Sequence, residues 1–469
     1  MQKQQQQGAL AKIKKLFGAQ DMTVGSPMSN ILKFAIPLLI GNFAQQLYST
    51  VDSIIVGKYV GDAALAAIGV SMPIVNLLLV LFMAISTGAS ILVAQFFGAQ
   101  AREQLSKSIG TSVSLIFFSS LVIMALGIPL AGPLLRLINT PELYFEWSRG
   151  YLQIIFLGIV GGGFYNIISG ILRGMGDSFY PLVFLLVAAV LNTILDIWFV
   201  AGLRWGVAGA AWATILAQGV SAVLCLLRLA NMKDIITLNL KSLKPDMRMA
   251  GRLLKLGLPA GITQAIFSLA MVFVQSLTNQ MGDLVPAVNV AVMRVDGFAM
   301  MPNFTFGLAI STFIGQNIGA RKEDRIVPGE RAVLKASLIT SVALVACLIL
   351  FGRFLIMMFT DTPDIISLGV RSLRILSVGY IAMAVSQVYG GILRGAGDTM
   401  TTMYISLITT VVIRVPLAYG IAALNKSEAW PHGHPAALFI SLLVSWVIGA
   451  VLTYIWYRMG KWKNIKLVD

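Results

Sequence analysis

The amino-acid sequence predicts an all-α polytopic membrane protein. Its expected architecture is twelve transmembrane helices in two six-helix bundles, related by a pseudo-two-fold axis along the membrane normal. Three observations lead there. The chain of 469 residues is 57% hydrophobic and only 12% charged, with a mean hydropathy of +0.82. A soluble chain carries about 25% charged residues. Apolar runs long enough to cross a bilayer recur along the whole length, and they lack the strict alternation of barrel strands. Only helices or closed barrels satisfy their backbone in lipid, so the runs are helices. Finally, the chain repeats itself at an offset of 221 residues.

The repeat has three anchors. GILRGMGD at 170–177 returns as GILRGAGD at 391–398, VAQFFGA at 93–99 as TFIGQNIGA at 312–320 with Gln95 matching Gln316, and Gly61-Asp62 as Gly282-Asp283. Each half holds an even number of spans, so both halves enter the membrane in the same sense, and the substrate path is expected between them.

In order, the spans fall at roughly 30–56, 63–97, 105–130, 144–171, 178–201, 207–229, 252–280, 285–317, 331–352, 365–393, 400–424 and 435–457. This gives an N-terminal tail (1–29), a first lobe (30–229), a linker (230–251), a second lobe (252–458) and a C-terminal tail (459–469). Several spans exceed the ~20 residues a bilayer needs and are expected to tilt or protrude. Orientation follows from Lys and Arg. With the N-terminus inside, the inner segments hold 24 of them and the outer segments 8, which places both termini in the cytoplasm of a cell-membrane protein. The N-terminal residues MQKQQQQGALAKIKK have no signal-peptide pattern. Within them, LAKIKKLF reads either as a short surface helix or as a tail.

The net charge of +15 does not indicate nucleic acid, because the basic residues cluster in loops and set topology. Cys225 and Cys347 both lie in apolar runs, which argues against a structural disulfide. His432 and His434 share one outer loop, WPHGHP, and a metal site needs more ligands. No cofactor and no resident metal are expected. At the end of each LRGxGD turn, Asp177 and Asp398 are placed to cap the next helix, with glycine allowing the turn.

The chemistry concentrates in AVLNTILDIWFV, residues 189–200. Asn192 and Asp196 are four apart, hence one turn apart on one helix face. A carboxylate at mid-span costs roughly 2.5–3.5 kcal/mol on insertion scales, and a span that retains one points it at a wet cavity and uses it. Such a group holds a proton, or binds a cation if other oxygens complete the shell. The competing reading is interhelical hydrogen bonding alone. Further ionisable residues inside spans include Asp52, Arg294, Asp296 and Arg414. Asp52 is placed near the outer end of the first span. Arg294 and Asp296, two apart, do not face each other on a helix; each is expected to pair with another helix, with Arg414 free to serve Asp296 as an ion pair or gate. Met293, Met300 and Met301 cluster in the same span, where flexible thioethers suit varied ligands or plain packing. Pro37, Pro259 and Pro302 are expected to kink their helices.

These residues resemble the multidrug and toxic compound extrusion (MATE) family. The resemblance covers nearly the whole chain. It rests on IPLLIGNFAQQLYSTVDSIIVG, the VAQFFGA and FIGQNIGA motifs, both LRGxGD turns and VLNTILDIWFVAGLRWGVAGAAWATILAQ. It implies two six-helix bundles enclosing a cavity, and a cation-coupled antiporter exporting amphipathic, cationic organic compounds. Family members that bind sodium or protons in the N-terminal half do so through positions matching Asp52, Asn192, Asp196 and Thr214. The coupling ion would be Na+ or H+. The family's other branch uses a glutamate in span seven and an aspartate in span ten. Here span seven offers Gln264, Gln275 and Gln280, and span ten has no carboxylate. Arg294, Asp296, Met301 and Arg414 are the candidates for a gate or substrate contact. The expected partners are small-molecule substrates and the lipid bilayer, and the expected state is a monomer.

Three rivals remain at this level. A lipid or lipid-linked oligosaccharide flippase would favour a more basic cavity than two embedded arginines supply. A membrane-embedded enzyme would need a nucleophile or metal constellation in the spans, and none is visible. A channel would show rings of repeated charge, also not seen.

Overall fold

The structure, a computed structural model, describes residues 18–236, 244–282, 284–428 and 430–464. The residues of LAKIKKLF lie outside that set. Among the described residues every element is helical, as expected, and the chain forms two compact units.

The first unit comprises Leu32–Leu258 with residues 18–23. It contains most of α1 (Pro27–Tyr59), then α2 (Asp62–Gly98), α3 (Arg102–Leu137), α4 (Glu142–Gly174), α5 (Phe179–Gly202) and α6 (Gly206–Ala230). The second comprises Val24–Ile31 with residues 259–464. It contains most of α7 (Met247–Gln280), then α8 (Leu284–Gly319), α9 (Ile326–Met357), α10 (Pro363–Ala396), α11 (Thr399–Leu424) and α12 (Ala436–Met459). The lobe boundaries therefore differ from the sequence reading. The first turns of α1 cluster with the second unit, and the first turns of α7 with the first.

Eleven of these helices are long and apolar enough to cross a membrane; α1 is the exception. It has the length, at 33 residues, but Asn42, Gln45, Gln46 and Asp52 dilute its apolar character. Several helices outrun their expected spans. α3 continues to Leu137, α9 begins at Ile326, and α7 begins at Met247 inside the expected linker. The α7 start has a clear cause. Asp246 Oδ1 accepts the Met249 N–H at 2.8 Å, and Asp246 Oδ2 pairs with Lys107 Nζ on α3 at 2.6 Å. The Lys107 hydrogen bond, helped by that Met249 N–H, holds the Asp246 carboxyl below the usual carboxylate range.

Each unit is organised on the helix that carries the repeat. In the first, α4 packs on α2, α3 and α6; in the second, α10 packs on α8, α9 and α12. The repeated glycines explain how. A Cβ at Gly170 would lie 2.3 Å from Ser86 Oγ, and one at Gly391 would lie 2.3 Å from the Gly307 carbonyl oxygen. At Gly174 it would lie 2.6 Å from the Ser90 oxygen, and at Gly395 2.4 Å from the Ser311 oxygen. Gly391, Gly395, Gly307 and Ser311 stand 221 residues after Gly170, Gly174, Ser86 and Ser90. One small-residue crossing is built twice, of the type that lets membrane helices touch backbone to backbone. The turn itself needs the next glycine of each motif: Gly176 and Gly397 have φ of +82° and +97°.

Both aspartates cap as expected. Asp177 Oδ1 accepts the Tyr180 N–H at 3.1 Å, and Asp398 Oδ1 accepts the Thr401 N–H at 3.3 Å. Their further roles differ. Asp177 is fully buried and pairs with Arg228 at 3.1 Å, whose guanidinium lies over the Tyr180 ring. Asp398 instead accepts the Trp456 indole N–H at 3.2 Å. Asp177→Ala is therefore expected to cost about 2–3 kcal/mol, between a lost cap and a broken buried pair. Asp398→Ala is expected to cost about 1 kcal/mol. Thermal unfolding of the purified variants in detergent checks the order; equal losses would contradict it.

Candidate functional site

The site of the first unit is assembled by α1, α5 and α6. α5 is α-helical from Phe179 to Asp196 and then widens into a π-helical segment, Ile197–Gly202. A π turn shifts the hydrogen-bond ladder by one residue and is frequent at functional sites. Asp196 sits at that junction and is fully buried, with Asn192 one turn before it also buried. With its amide turned to satisfy both ends, Asn192 donates from nitrogen to Asp196 Oδ2 at 2.7 Å. It accepts the Thr214 N–H through its oxygen at 3.2 Å. The Thr214 hydroxyl itself donates to the Ala210 carbonyl on α6 at 2.9 Å.

From α1, Asp52 reaches the same point. Its carboxyl lies within hydrogen-bonding reach of the Asp196 carboxyl, which is a more specific position than an interfacial one. Asp52 Oδ1 and Asp196 Oδ1 are both buried, and neither has a hydrogen-bond partner among the described residues. Two carboxyls this close cannot both stay ionised without a positive charge between them. The arrangement accommodates one proton, or one small hard cation held by carboxylate and amide oxygens. The four residues singled out in the sequence are thus brought together in space.

Two tyrosines escaped the sequence reading. Tyr48 lies one turn before Asp52 on α1 and its hydroxyl faces Thr214; Tyr151 comes from α4 and lies in the field of both aspartates. The i, i+4 spacing of Tyr48 and Asp52 was visible in the sequence. Nothing local marked Tyr151, whose place depends on how α4 packs.

The polar residues of the second unit form a different constellation. Asp296 on α8 accepts the Tyr380 hydroxyl of α10 at 2.8 Å. The expected ion pair with Arg414 is not made: among the described residues no ion pair joins them, although each lies in the other's field. The Tyr380 hydroxyl holds one oxygen of that carboxylate, and the arginine lies beyond ion-pairing distance. Arg294 is exposed and on a different face from its neighbour. Met300 belongs to the hydrophobic core and Met293 packs against it, whereas Met301 is half-buried and lies outside that cluster. Asn303, beside Pro302, ties three helices together. It donates to the Tyr380 carbonyl at 3.2 Å and accepts from Ser337 at 3.2 Å and Ser341 at 3.0 Å. In the outer loop, His434 Nδ1 accepts the Ala436 N–H at 3.1 Å and so starts α12.

Two lobes with a repeated helical core and a buried acidic cluster at a π turn define a membrane transporter. The MatE family model matches twice, over residues 37–198 and 259–420, and the chain belongs to that family, whose members are transporters rather than enzymes. Its relatives include "Probable multidrug resistance protein YpnP" of Bacillus subtilis, 31% identical, covering 96% of this chain and 99% of that protein. Another is "Probable multidrug resistance protein NorM" of Thermotoga maritima, 26% identical, covering 92% of this chain and 93% of that protein. Among solved structures, "Crystal structure of MATE in the straight conformation" superposes with a TM-score of 0.88 at 25% identity. It covers 96% of this chain and 99% of that one.

Proposed function

We propose that this protein is a cation-coupled multidrug exporter of the cell membrane. It works as a monomer with both termini in the cytoplasm. Inward movement of Na+ or H+ drives outward movement of amphipathic, cationic organic compounds by alternating access. Asp52, Asn192, Asp196 and Thr214 form the cation site. The observation that carries this reading is the pair of buried, unpartnered carboxylate oxygens on Asp52 and Asp196. Leaving them so costs stability that a purely structural cluster would have no reason to forgo. A cation entering from outside satisfies both oxygens. Its arrival in the outward-facing state drives release of the cargo in exchange, and its departure to the cytoplasm resets the site. The names of the relatives, multidrug resistance proteins, support drug export.

The test is efflux of a fluorescent cationic dye from proteoliposomes under imposed sodium or proton gradients, compared with no gradient. Acceleration by one of the two gradients is expected, and it identifies the coupling ion. Efflux indifferent to both would end the coupled reading.

A further inference from the structure

The second unit ends in a turn that folds back on it. Gly460, with φ of +71°, reverses the chain after α12, and a short 3-10 helix follows, Lys461–Asn464. Trp462 in that turn is only 2% exposed. Its ring stacks on Tyr457 with centroids 5.5 Å apart, and its indole N–H donates to the Tyr457 carbonyl at 3.0 Å. Tyr457 is itself held, because its hydroxyl and that of Tyr389 on α10 both donate to the Glu330 carboxylate of α9. A cavity of about 70 Å³ opens beside this stack. Tyr457 and Trp462 give it an aromatic wall, Ile326 and Val327 of α9 an apolar one, and Glu323 and Lys463 bring opposite charges to it. Among the described residues neither charge makes an ion pair, with the other or elsewhere. Lys463 lies over the Trp462 ring, 5.7 Å from its centroid.

We propose that this cavity binds the headgroup of an aminophospholipid, in the leaflet at the C-terminal end of α12. Glu323 takes the ammonium, Lys463 takes the phosphate, and the acyl chains leave along Val327. Two opposite charges that share a cavity without bridging each other fit a ligand that carries both. A carboxylate and an ammonium make a charge-assisted contact, and a lysine is a compact point charge suited to phosphate. The level in the membrane fits as well. Trp456, Tyr457 and Trp462 crowd the end of α12, and Trp and Tyr gather where lipid headgroups meet water. Val327, 45% exposed, gives the chains an apolar exit there. Size excludes an exported compound, since pockets for drug-sized ligands measure roughly 300–1,000 Å³. The lipid is thus a bound partner rather than cargo. It ties the C-terminal turn to the corner where α9 begins, and it shares no residue with the acidic cluster of the first unit.

The probes are dioctanoyl phosphatidylethanolamine and dioctanoyl phosphatidylglycerol, which share chains and phosphate and differ in the ammonium. Each is titrated onto the full, delipidated protein in detergent, and the first bound lipid is followed by native mass spectrometry. The wild type is expected to bind the ethanolamine lipid about tenfold more tightly, the worth of about one charge-assisted contact. Glu323→Gln is expected to erase that preference and leave the glycerol lipid's affinity unchanged. Lys463→Gln is expected to weaken both lipids and keep the preference. Both side chains are exposed, so neither substitution opens a packed contact, and unchanged unfolding temperatures check this. Soluble phosphoethanolamine at equal concentration is expected to leave the lipid bound. Equal affinity of the two lipids for the wild type would overturn the proposal. So would a preference that survives Glu323→Gln, or unchanged binding by Lys463→Gln. Displacement by phosphoethanolamine would assign the cavity to a soluble ligand and overturn the lipid reading. No ion gradient enters the measurement, so its failure leaves the proposed coupling site untouched.

Discussion

Asp196→Asn is expected to abolish gradient-driven efflux while leaving a folded, membrane-inserted protein that still binds dye. The substitution keeps the shape of the side chain and an oxygen for the Asn192 amide, which now donates to Asp196 Oδ2 at 2.7 Å. What it removes is the charge that a proton or Na+ would neutralise. Asp52, within hydrogen-bonding reach of Asp196, then becomes the sole acid of the cluster, and a single carboxyl there has no partner with which to share a cation. Asp52→Asn should give the same phenotype for the same reason. Asn192→Ala and Thr214→Ala remove one neutral oxygen each and should weaken the ion dependence without abolishing it. The measurement is dye efflux from proteoliposomes under both cation gradients, normalised to protein incorporated. Full coupled efflux by Asp196→Asn would move the coupling site out of this cluster, with Asp296 the next acid to test.

The fold was legible because the membrane leaves the chain few options. Apolar runs located the helices, and the 221-residue repeat marked the two halves. What failed was at the edges. α7 starts five residues early because Asp246 caps it while tied to Lys107 on another helix, a contact with no trace in hydropathy. α1 reads as a span although its own polar residues weaken the case.

The site was legible to a different depth in each lobe. Asn192 and Asp196 declared themselves by spacing on one helix, while Asp52 and Thr214 came from the resemblance and needed three helices to meet. In the second lobe, sequence reasoning paired opposite charges, Asp296 with Arg414, and the structure pairs an acid with a phenol instead. Opposite charge is visible in a sequence; which side chains meet is not. Neither π segment, in α5 or in α11, was foreseen, since nothing in IWFVAG or ITTVVI distinguishes a π turn from ordinary apolar helix.

The repeated motif supplies the largest expected effect on stability. GILRG was read as a turn signal, but its glycines at 170, 174, 391 and 395 serve the helix crossing that precedes the turn. Gly391→Ala puts a methyl 2.3 Å from the Gly307 carbonyl oxygen and 2.5 Å from Ile310 Cγ2. A backbone oxygen cannot rotate away, so α10 must move off α8, and α10 is the helix on which the second unit is organised. Overpacking in a close-packed interior costs about 1–3 kcal/mol, more where backbone must shift, so a loss of about 3 kcal/mol or more is expected. Gly170→Ala should cost less, because its nearest neighbour at 2.3 Å is the Ser86 hydroxyl, a side chain that has another rotamer, with the Ser86 carbonyl oxygen at 2.9 Å. Gly150, in mid-α4 with nothing within 4 Å of a Cβ, is the control. There alanine should be neutral or slightly stabilising through its helix propensity. Thermal unfolding of the three variants in one detergent gives the order. If Gly391→Ala melted with the wild type, the close crossing of α8 and α10 would not be what holds the second unit together.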